Sequence, residues 1–554
     1  MKKWMTVFMA AALLTASLAG CKSTAENTSA TTAQSQGEAQ TQEAAQTRKE
    51  DDMSARAAEG KGGETGSIVV GINADPGSLS PFAPMSPGGI TIRRTLYEFL
   101  VDREEFGGDM VGVIMKDYEK IDDTTYKVTI YDYIHDTQGN AVTASDVAFS
   151  YKTGKECGNY PKLNSVESVT VLDDYTVEFK FTQELAVGEL EGLWMECPII
   201  TQAAYEASSD QMATAPVGTT AYKVTSYTPG SEIVMERCDD YWQTDAAVKP
   251  LTSNANAAEI RFQIITESAQ MTIALETGSI DMTTGVSNSE VARFKDGGEN
   301  ADGFNTFQFM DNKAAMIYFN CDEGNILQNQ ALRQAICYAI DAQSVLDGAY
   351  NGDGAVLKTI GCEKYGDFND AWLNEEYYEY NLEKAKELMA EANIPEGTTL
   401  KLLCGNTEDV ESIATIIQGF LLQIGINVQI TPYENAMYTS LTYESDAWDI
   451  LLATQGATDY LVNIWKLGWA AENYNGHTMN FLYDDQLQNI LHESLTVDGH
   501  TAENVNAFHY YIKDNCYAYG ICQTAGYVVA DKKVASVVVD SRNCILPGCC
   551  TYTE

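Results

Sequence analysis

The spacing of apolar residues changes once along this chain, near Phe319, and that change limits the fold more than any other feature of the sequence. Before it, apolar residues recur at alternate positions in short runs: Ser67 to Asn73, Tyr126 to Ile130, Val166 to Leu172, Thr176 to Phe181, Tyr222 to Tyr227 and Glu232 to Glu236. Alternation puts the apolar side chains of a strand on one face. Asp173-Asp174 and Pro229-Gly230 lie between paired runs and predict hairpins; the second pair suits a type II turn, whose second central position takes a positive φ. Asp75 to Pro81 must be a loop, since its Pro and Gly residues block regular continuation. A helix is expected over Ile92 to Leu100, and Thr143-Ala144-Ser145-Asp146 has capping-box spacing that opens another through Tyr151. Beyond Phe319, Leu332, Ala335, Ile336, Ala339 and Ile340 share one helical face, as do Leu382, Ala385, Leu388, Met389 and Ala392. The helix expected over Ile413 to Ile424 closes at Gly425, and Ile426, Val428 and Ile430 then alternate as a strand, which is an α/β step. No period of 20 to 50 residues repeats, so solenoids and propellers are excluded. Two differently built α/β lobes are the expected architecture.

The amino terminus carries Lys2, Lys3, an apolar run from Trp4 to Leu18, and then Leu18-Ala19-Gly20-Cys21, so residues 1–20 read as a signal peptide. That run is shorter than the roughly 20 apolar residues a spanning helix needs. Leu-Ala-Gly-Cys resembles the bacterial lipoprotein box, which implies that Cys21 is lipidated and begins the mature chain. Two or more acyl chains on one residue hold a protein durably to a membrane. Residues 22–66 are Thr, Ala, Gln, Glu, Ser and Gly with almost no large apolar side chain. They are expected to form a disordered tether with a reach of roughly 35 to 40 Å.

Residues 67–554 are long enough for two or three domains. The chain holds 79 acidic against 35 basic residues, a formal net charge of −44. Such a surface repels nucleic acid and anionic lipid and favours a soluble monomer. Of thirteen cysteines, Cys21 is assigned to the lipid, and the other twelve are spread over a chain that can build its own core. Cys516 with Cys522, or Cys544 with Cys549 or Cys550, are spaced to permit bridges without requiring them. No Cys-x2-Cys occurs, and the histidines at 135, 477, 492, 500 and 509 form no ligand motif, so neither a metal nor any other cofactor is expected. Enzyme signatures are missing too. There is no Gly-x-Ser-x-Gly, His492-Glu493 does not extend to His-Glu-x-x-His, and the glycines around Gly352 and Gly354 form no nucleotide fingerprint. No catalytic residue is assigned; carboxylate pairs for glycoside hydrolysis compete with the plainer reading of surface acids.

Several blocks resemble one family. They are Ile134-His135-Asp136 with Val142 to Val147, Asp173 to Val177, Pro216-Val217-Gly218-Thr219-Thr220-Ala221-Tyr222-Lys223-Val224 with Pro229-Gly230, Met235-Glu236-Arg237 and Asp240-Tyr241-Trp242, then Tyr318-Phe319-Asn320 and Leu332 to Asp341. Their content and order resemble extracellular solute-binding protein family 5, the dipeptide-, oligopeptide- and nickel-binding lipoproteins of ABC importers. The family's usual Gly-Pro after Gly-Thr is replaced here by Thr220-Ala221. The resemblance implies an α/β fold of the periplasmic-binding-protein-like type II kind: lobe I over residues 67–315 with an extra inserted subdomain, lobe II over 316–515, and a return to lobe I over 516–554. Two segments would cross between the lobes, Thr306 to Asn320 and Asn515 to Thr524. A small solute, a peptide above all, would lie between the lobes and pass to a membrane permease at the extracellular face of the cell membrane.

Peptide-binding members carry an aspartate in a Gly-Trp-x-x-Asp-Tyr segment that pairs with the ligand's amino terminus. The match here is Gly456-Ala457-Thr458-Asp459-Tyr460, one residue shorter and without the tryptophan. Asp459 is therefore the candidate anchor, with Gly456 and Tyr460 beside it. Further cleft candidates are Asn73, Asp75 and Ser78, each also suited to loop duty; Tyr97 and Glu98, in the helix after that loop; and Asn320, which would otherwise satisfy backbone groups. Trp465 and Trp469, four apart, either floor the pocket or pack in the core. An oligosaccharide ligand, or a secreted hydrolase on a similar scaffold, are the competing functions.

Overall fold

The computed structural model describes residues 63–84, 89–103, 109–456 and 460–553 of the 554-residue chain. The expected signal peptide, Cys21, most of the tether and Asp459 lie outside the described residues. The first strand, Thr65–Ile72, begins inside the stretch expected to be tether, because its backbone finds a parallel partner in Ala257–Ile264.

Eleven strands among the described residues form one mixed sheet. Its order is Asn427–Tyr433, Thr399–Gly405, Ile450–Gly456, Phe304–Phe319, Ala518–Asp531, Met282–Thr283, Thr65–Ile72, Ala257–Ile264, Glu232–Arg237 and Tyr222–Thr228, with Gly354–Val356 also pairing on Ala518–Asp531. The two central strands are antiparallel neighbours from Phe304 opposite Asp531 to Tyr318 opposite Ala518, with register shifts at Met310/Ala314 and Ala315/Met316. They are the crossing segments. The second starts later and runs further than expected, because residues 515–517 are used to close the helix Ala502–Asn515, where Cys516 caps in the left-handed region at φ 52°.

The halves of these strands serve different lobes. Met282–Thr283 pairs with the far end of Ala518–Asp531, on the side of the first-lobe strands, whereas Lys313 to Phe319 pair with Ile450–Gly456 of the second lobe. Within the second lobe the first crossing strand divides two cores by its alternation. Ala315, Ile317 and Phe319 face Leu332, Ile336, Ile413 and Ile417, and Ala314, Met316 and Tyr318 face Leu461, Trp465, Trp469 and Phe508. The first lobe has its own core around Ile68, Val70, Ile260 and Phe262.

A separate antiparallel sheet of Met115–Asp122, Thr125–Ile130, Thr176–Phe181 and Val166–Asp173 forms the insertion in the first lobe. The helix Ala144–Glu156 packs on it and opens on the expected capping box, with Asp146 Oδ2 accepting from the Thr143 backbone and hydroxyl at 2.8 Å each. The hairpin turn at Pro229-Gly230 also has the expected form, Gly230 lying at φ 72°.

The helix expected over Ile92 to Leu100 instead spans Gly89–Leu96. Its last carbonyls and those that follow are claimed by distant parts of the chain. Thr220 Oγ1 donates to the Thr95 carbonyl, Ile199 N–H to that of Glu98, and Ile114 and Val113 N–H to those of Phe99 and Leu100. Tyr97 and Glu98 therefore sit past the helix.

Candidate ligand cleft

Gly456 is the last residue of its strand and pairs with Lys313 of the first crossing strand, while Tyr460 caps the helix Leu461–Trp469. The proposed anchor segment therefore joins a strand end next to the crossing strands to a helix start. Helix N-termini offer unpaired N–H groups, and here Asp367 takes two of them: its carboxylate accepts from Leu461 N–H at 2.6 Å and Val462 N–H at 3.2 Å. The same carboxylate lies 3.3 Å from His500 Nε2, and His500 meets the edge of the Tyr460 ring at 4.8 Å between centroids. Arg103 approaches from the first lobe, its guanidinium 5.9 Å from the centroid of the Tyr460 ring. Asp367, His500 and Arg103 are separated from Tyr460 by long stretches of chain and belong to no local motif, so sequence reasoning missed them.

Two of the first-loop candidates, Asp75 and Ser78, act as braces. Asn73 is exposed at the end of the first strand. The Asp75 carboxylate accepts from Gly77 N–H and Tyr227 hydroxyl, each at 2.7 Å, and from Gly230 N–H, which ties the loop to the hairpin turn. Partial burial alone would raise its pKa, but these hydrogen bonds prevail and hold it below the usual carboxylate value. Ser78 Oγ accepts from Ser80 N–H at 3.2 Å.

Five other candidates are buried interior residues. The Tyr97 hydroxyl donates to the Leu79 carbonyl at 2.8 Å. The Glu98 carboxyl accepts from Tyr241 at 2.5 Å and from the Trp242 indole at 2.9 Å. Burial pushes the Glu98 pKa up to about 7 against the opposing effect of these donors. Asn320 donates to the carbonyls of Ser445 and Trp448 at 2.7 Å each, and its own side-chain oxygen accepts from Asp322 N–H, so it satisfies backbone groups at a strand end. Trp465 donates to the Ile360 carbonyl at 2.8 Å and stacks on Phe508, while Trp469 packs against Tyr318 and Phe508. Their four-residue spacing does put both indoles on one helical face, and that face is turned to the core. The reason is physical: large aromatic faces contribute most where water is excluded completely.

Cysteine geometry also departs from the spacings seen in sequence. The sulfur near Cys516 is that of Cys337, at 3.4 Å and 179 positions away, and all twelve described cysteines are free thiols.

Two lobes joined by paired crossing strands, with an insertion in the first, define a type II periplasmic binding protein. The model for bacterial extracellular solute-binding proteins, family 5 middle, matches residues 109–479, and the chain belongs to that family. It is a family of solute-binding proteins and not of enzymes. The oligopeptide-binding protein AppA of Bacillus subtilis is 22% identical over 459 residues, 77% of each chain. The dipeptide-binding protein of Escherichia coli is 21% identical over 341 residues, 57% of this chain and 60% of that one. Among solved structures, HbpA2 from Haemophilus parasuis superposes with a TM-score of 0.77 at 19% identity, covering 88% of this chain and all of that one. The substrate-binding protein CtaP from Listeria monocytogenes does so at 0.73 and 21%, covering 89% of this chain and 100% of that one.

Proposed function

We propose that this protein captures extracellular di- or oligopeptides between its lobes and delivers them to the membrane permease of an ABC importer. Membership of family 5 carries the reading, and the naming of relatives as oligopeptide- and dipeptide-binding proteins supports the ligand class. Lobe I comprises residues 67–315 and 516–554 in this reading, and lobe II residues 316–515. Asp459, between Gly456 and Tyr460, accepts the peptide's terminal ammonium, because a charge-assisted bond is about twice as strong as a neutral one. Main-chain recognition of an extended peptide tolerates many side chains, so a fixed terminus sets the register. The protein works as a monomer at the outer face of the cell membrane, held there by lipid on Cys21.

Mass spectrometry of ligand released by denaturing the purified protein tests the ligand class: intact peptides are expected, and recovery of a sugar or of cleavage products in excess overturns it. Calorimetry tests the anchor. Asp459→Asn is expected to weaken peptide binding by roughly thirty-fold to several thousand-fold, the cost of leaving a buried cation unpaired. N-acetylated peptides should bind wild type weakly and lose little more to the substitution. A change within about twofold removes Asp459 from this role. Cys21→Ala is expected to release the protein from washed membranes.

A further inference from the structure

Away from the anchor segment, a short turn is one of the places where the two lobes meet. After the last strand of the inserted sheet, the chain passes through Ala186, Val187 and Gly188 into the helix Glu189–Trp194. Gly188 takes φ 75° there, and Glu189 Oε2 accepts from Ala186 N–H at 2.9 Å, so the turn is fixed within its own lobe. Three other groups, both backbone groups of Val187 and the second carboxylate oxygen of Glu189, go to the second lobe. Val187 N–H donates to the Leu495 carbonyl at 2.9 Å, and the Val187 carbonyl accepts from Asn463 Nδ2 at 3.0 Å. Glu189 Oε1 accepts from Lys466 Nζ at 2.6 Å. The Ala186 and Val187 side chains pack on the core that holds Leu461, Trp465, Leu491 and Leu495.

Asn463 and Lys466 lie on the helix Leu461–Trp469, whose first turn follows the anchor segment, and Leu495 ends the helix Asp485–Leu495. At 1.5 Å per residue the first of these helices is only about 13 Å long. One rigid element thus carries Tyr460 at its tip and the grip of the turn along its side.

We propose that the Ala186–Glu189 turn is a latch that sets how long the lobes stay closed. Rotation about the crossing strands carries Val187 away from Asn463 and Leu495, so these contacts exist in the closed form only. Contacts made in one of two states are what shift the population between them. The ion pair is part-exposed, 28% at Lys466 and 34% at Glu189, and contributes modestly by itself. The two hydrogen bonds to the Val187 backbone, one of them from the Asn463 side chain, and the apolar contact break in the same motion and add to it. The proposal deepens the binding reading above, but its first readout needs no ligand.

The test uses the mature full-length chain. In ligand-free wild type, amide exchange at Val187 should be protected and report opening. Glu189→Lys places like charges together. It is expected to raise the small-angle scattering radius of gyration, to speed Val187 exchange, and to raise the dissociation rate of tetra-alanine roughly two- to tenfold. Pairing it with Lys466→Glu rebuilds the ion pair but not the bond that Glu189 accepts from Ala186 N–H, so it should recover much of all three, which a folding defect would not do. Val187→Asp, which puts a charge against the Leu495 contact, should open the lobes further, with an unchanged far-ultraviolet circular dichroism spectrum showing that it folds. Opening of the ligand-free variants without any tetra-alanine binding supports the latch while removing the peptide reading. Unchanged scattering, exchange and dissociation in Glu189→Lys overturn the latch and leave the peptide reading intact.

Discussion

Glu98 illustrates how one buried carboxyl couples stability to pH. Its unperturbed value is 4.5, and in the folded protein burial lifts this to about 7. Between those values the folded state holds a proton that the unfolded state has lost, so the contribution of Glu98 to stability is complete below about pH 4.5 and is lost as pH rises through about 7. The full difference is about 3 kcal/mol, from about 1.4 kcal/mol per pKa unit. Glu98→Gln, which cannot ionise, is expected to lose less melting temperature than wild type between pH 5 and pH 8, measured by calorimetry. The thiols give a second expectation. Cys157 is exposed, whereas burial raises the pKa of Cys197, Cys337, Cys522, Cys549 and Cys550. The thiolate is the reactive form, so brief iodoacetamide treatment of the native protein should label Cys157 ahead of those five, as read by peptide mass spectrometry. Residue roles of this kind were the least legible in the sequence. Trp465 and Trp469 showed a shared face but not what the face met, and nothing near Tyr460 announced Asp367, 94 positions before Leu461.

Elements were far easier to read, because their signals are local. The capping box at Thr143, the hairpins at Asp173-Asp174 and Pro229-Gly230, and the helix that Gly425 follows at φ 81° all depend on neighbours within a few residues. The expected helix over Ile92 to Leu100 failed for the opposite reason, since its end is set by Thr220, Ile199 and Val113 reaching in from elsewhere. Two glycines separate the local case from the distant one. At Gly230 an added Cβ meets nothing within 4 Å, so Gly230→Ala incurs only the left-handed backbone penalty, about 1 to 2 kcal/mol. At Gly218 the Cβ would lie 1.8 Å from the Leu96 carbonyl oxygen. Gly218→Ala must therefore displace the end of the helix Gly89–Leu96, and is expected to destabilise by about 3 kcal/mol or more. Urea unfolding of both variants should rank them in that order.

For the molecule as a whole, the change in apolar spacing near Phe319 coincides with the end of the strand Phe304–Phe319. The sheet order was not legible, because pairing of Met282–Thr283 with Ala518–Asp531 joins segments more than 230 residues apart. The same holds for the buried Arg94, which reaches Asp102 at 2.5 Å and Asp540 at 2.7 Å and so clamps the chain's return onto the first lobe. The pairing of the crossing strands has a further consequence. Tyr318 faces Ala518 across the ladder, so the chain passes into the second lobe and back out of it at adjacent points, about 5 Å apart. Topologically, everything between them is a cassette plugged in through a single two-pronged socket. Exchanging residues 320–517 for the equivalent segment of AppA should therefore give a folded chimaera with cooperative unfolding by circular dichroism, and its ligand preference should move with the cassette.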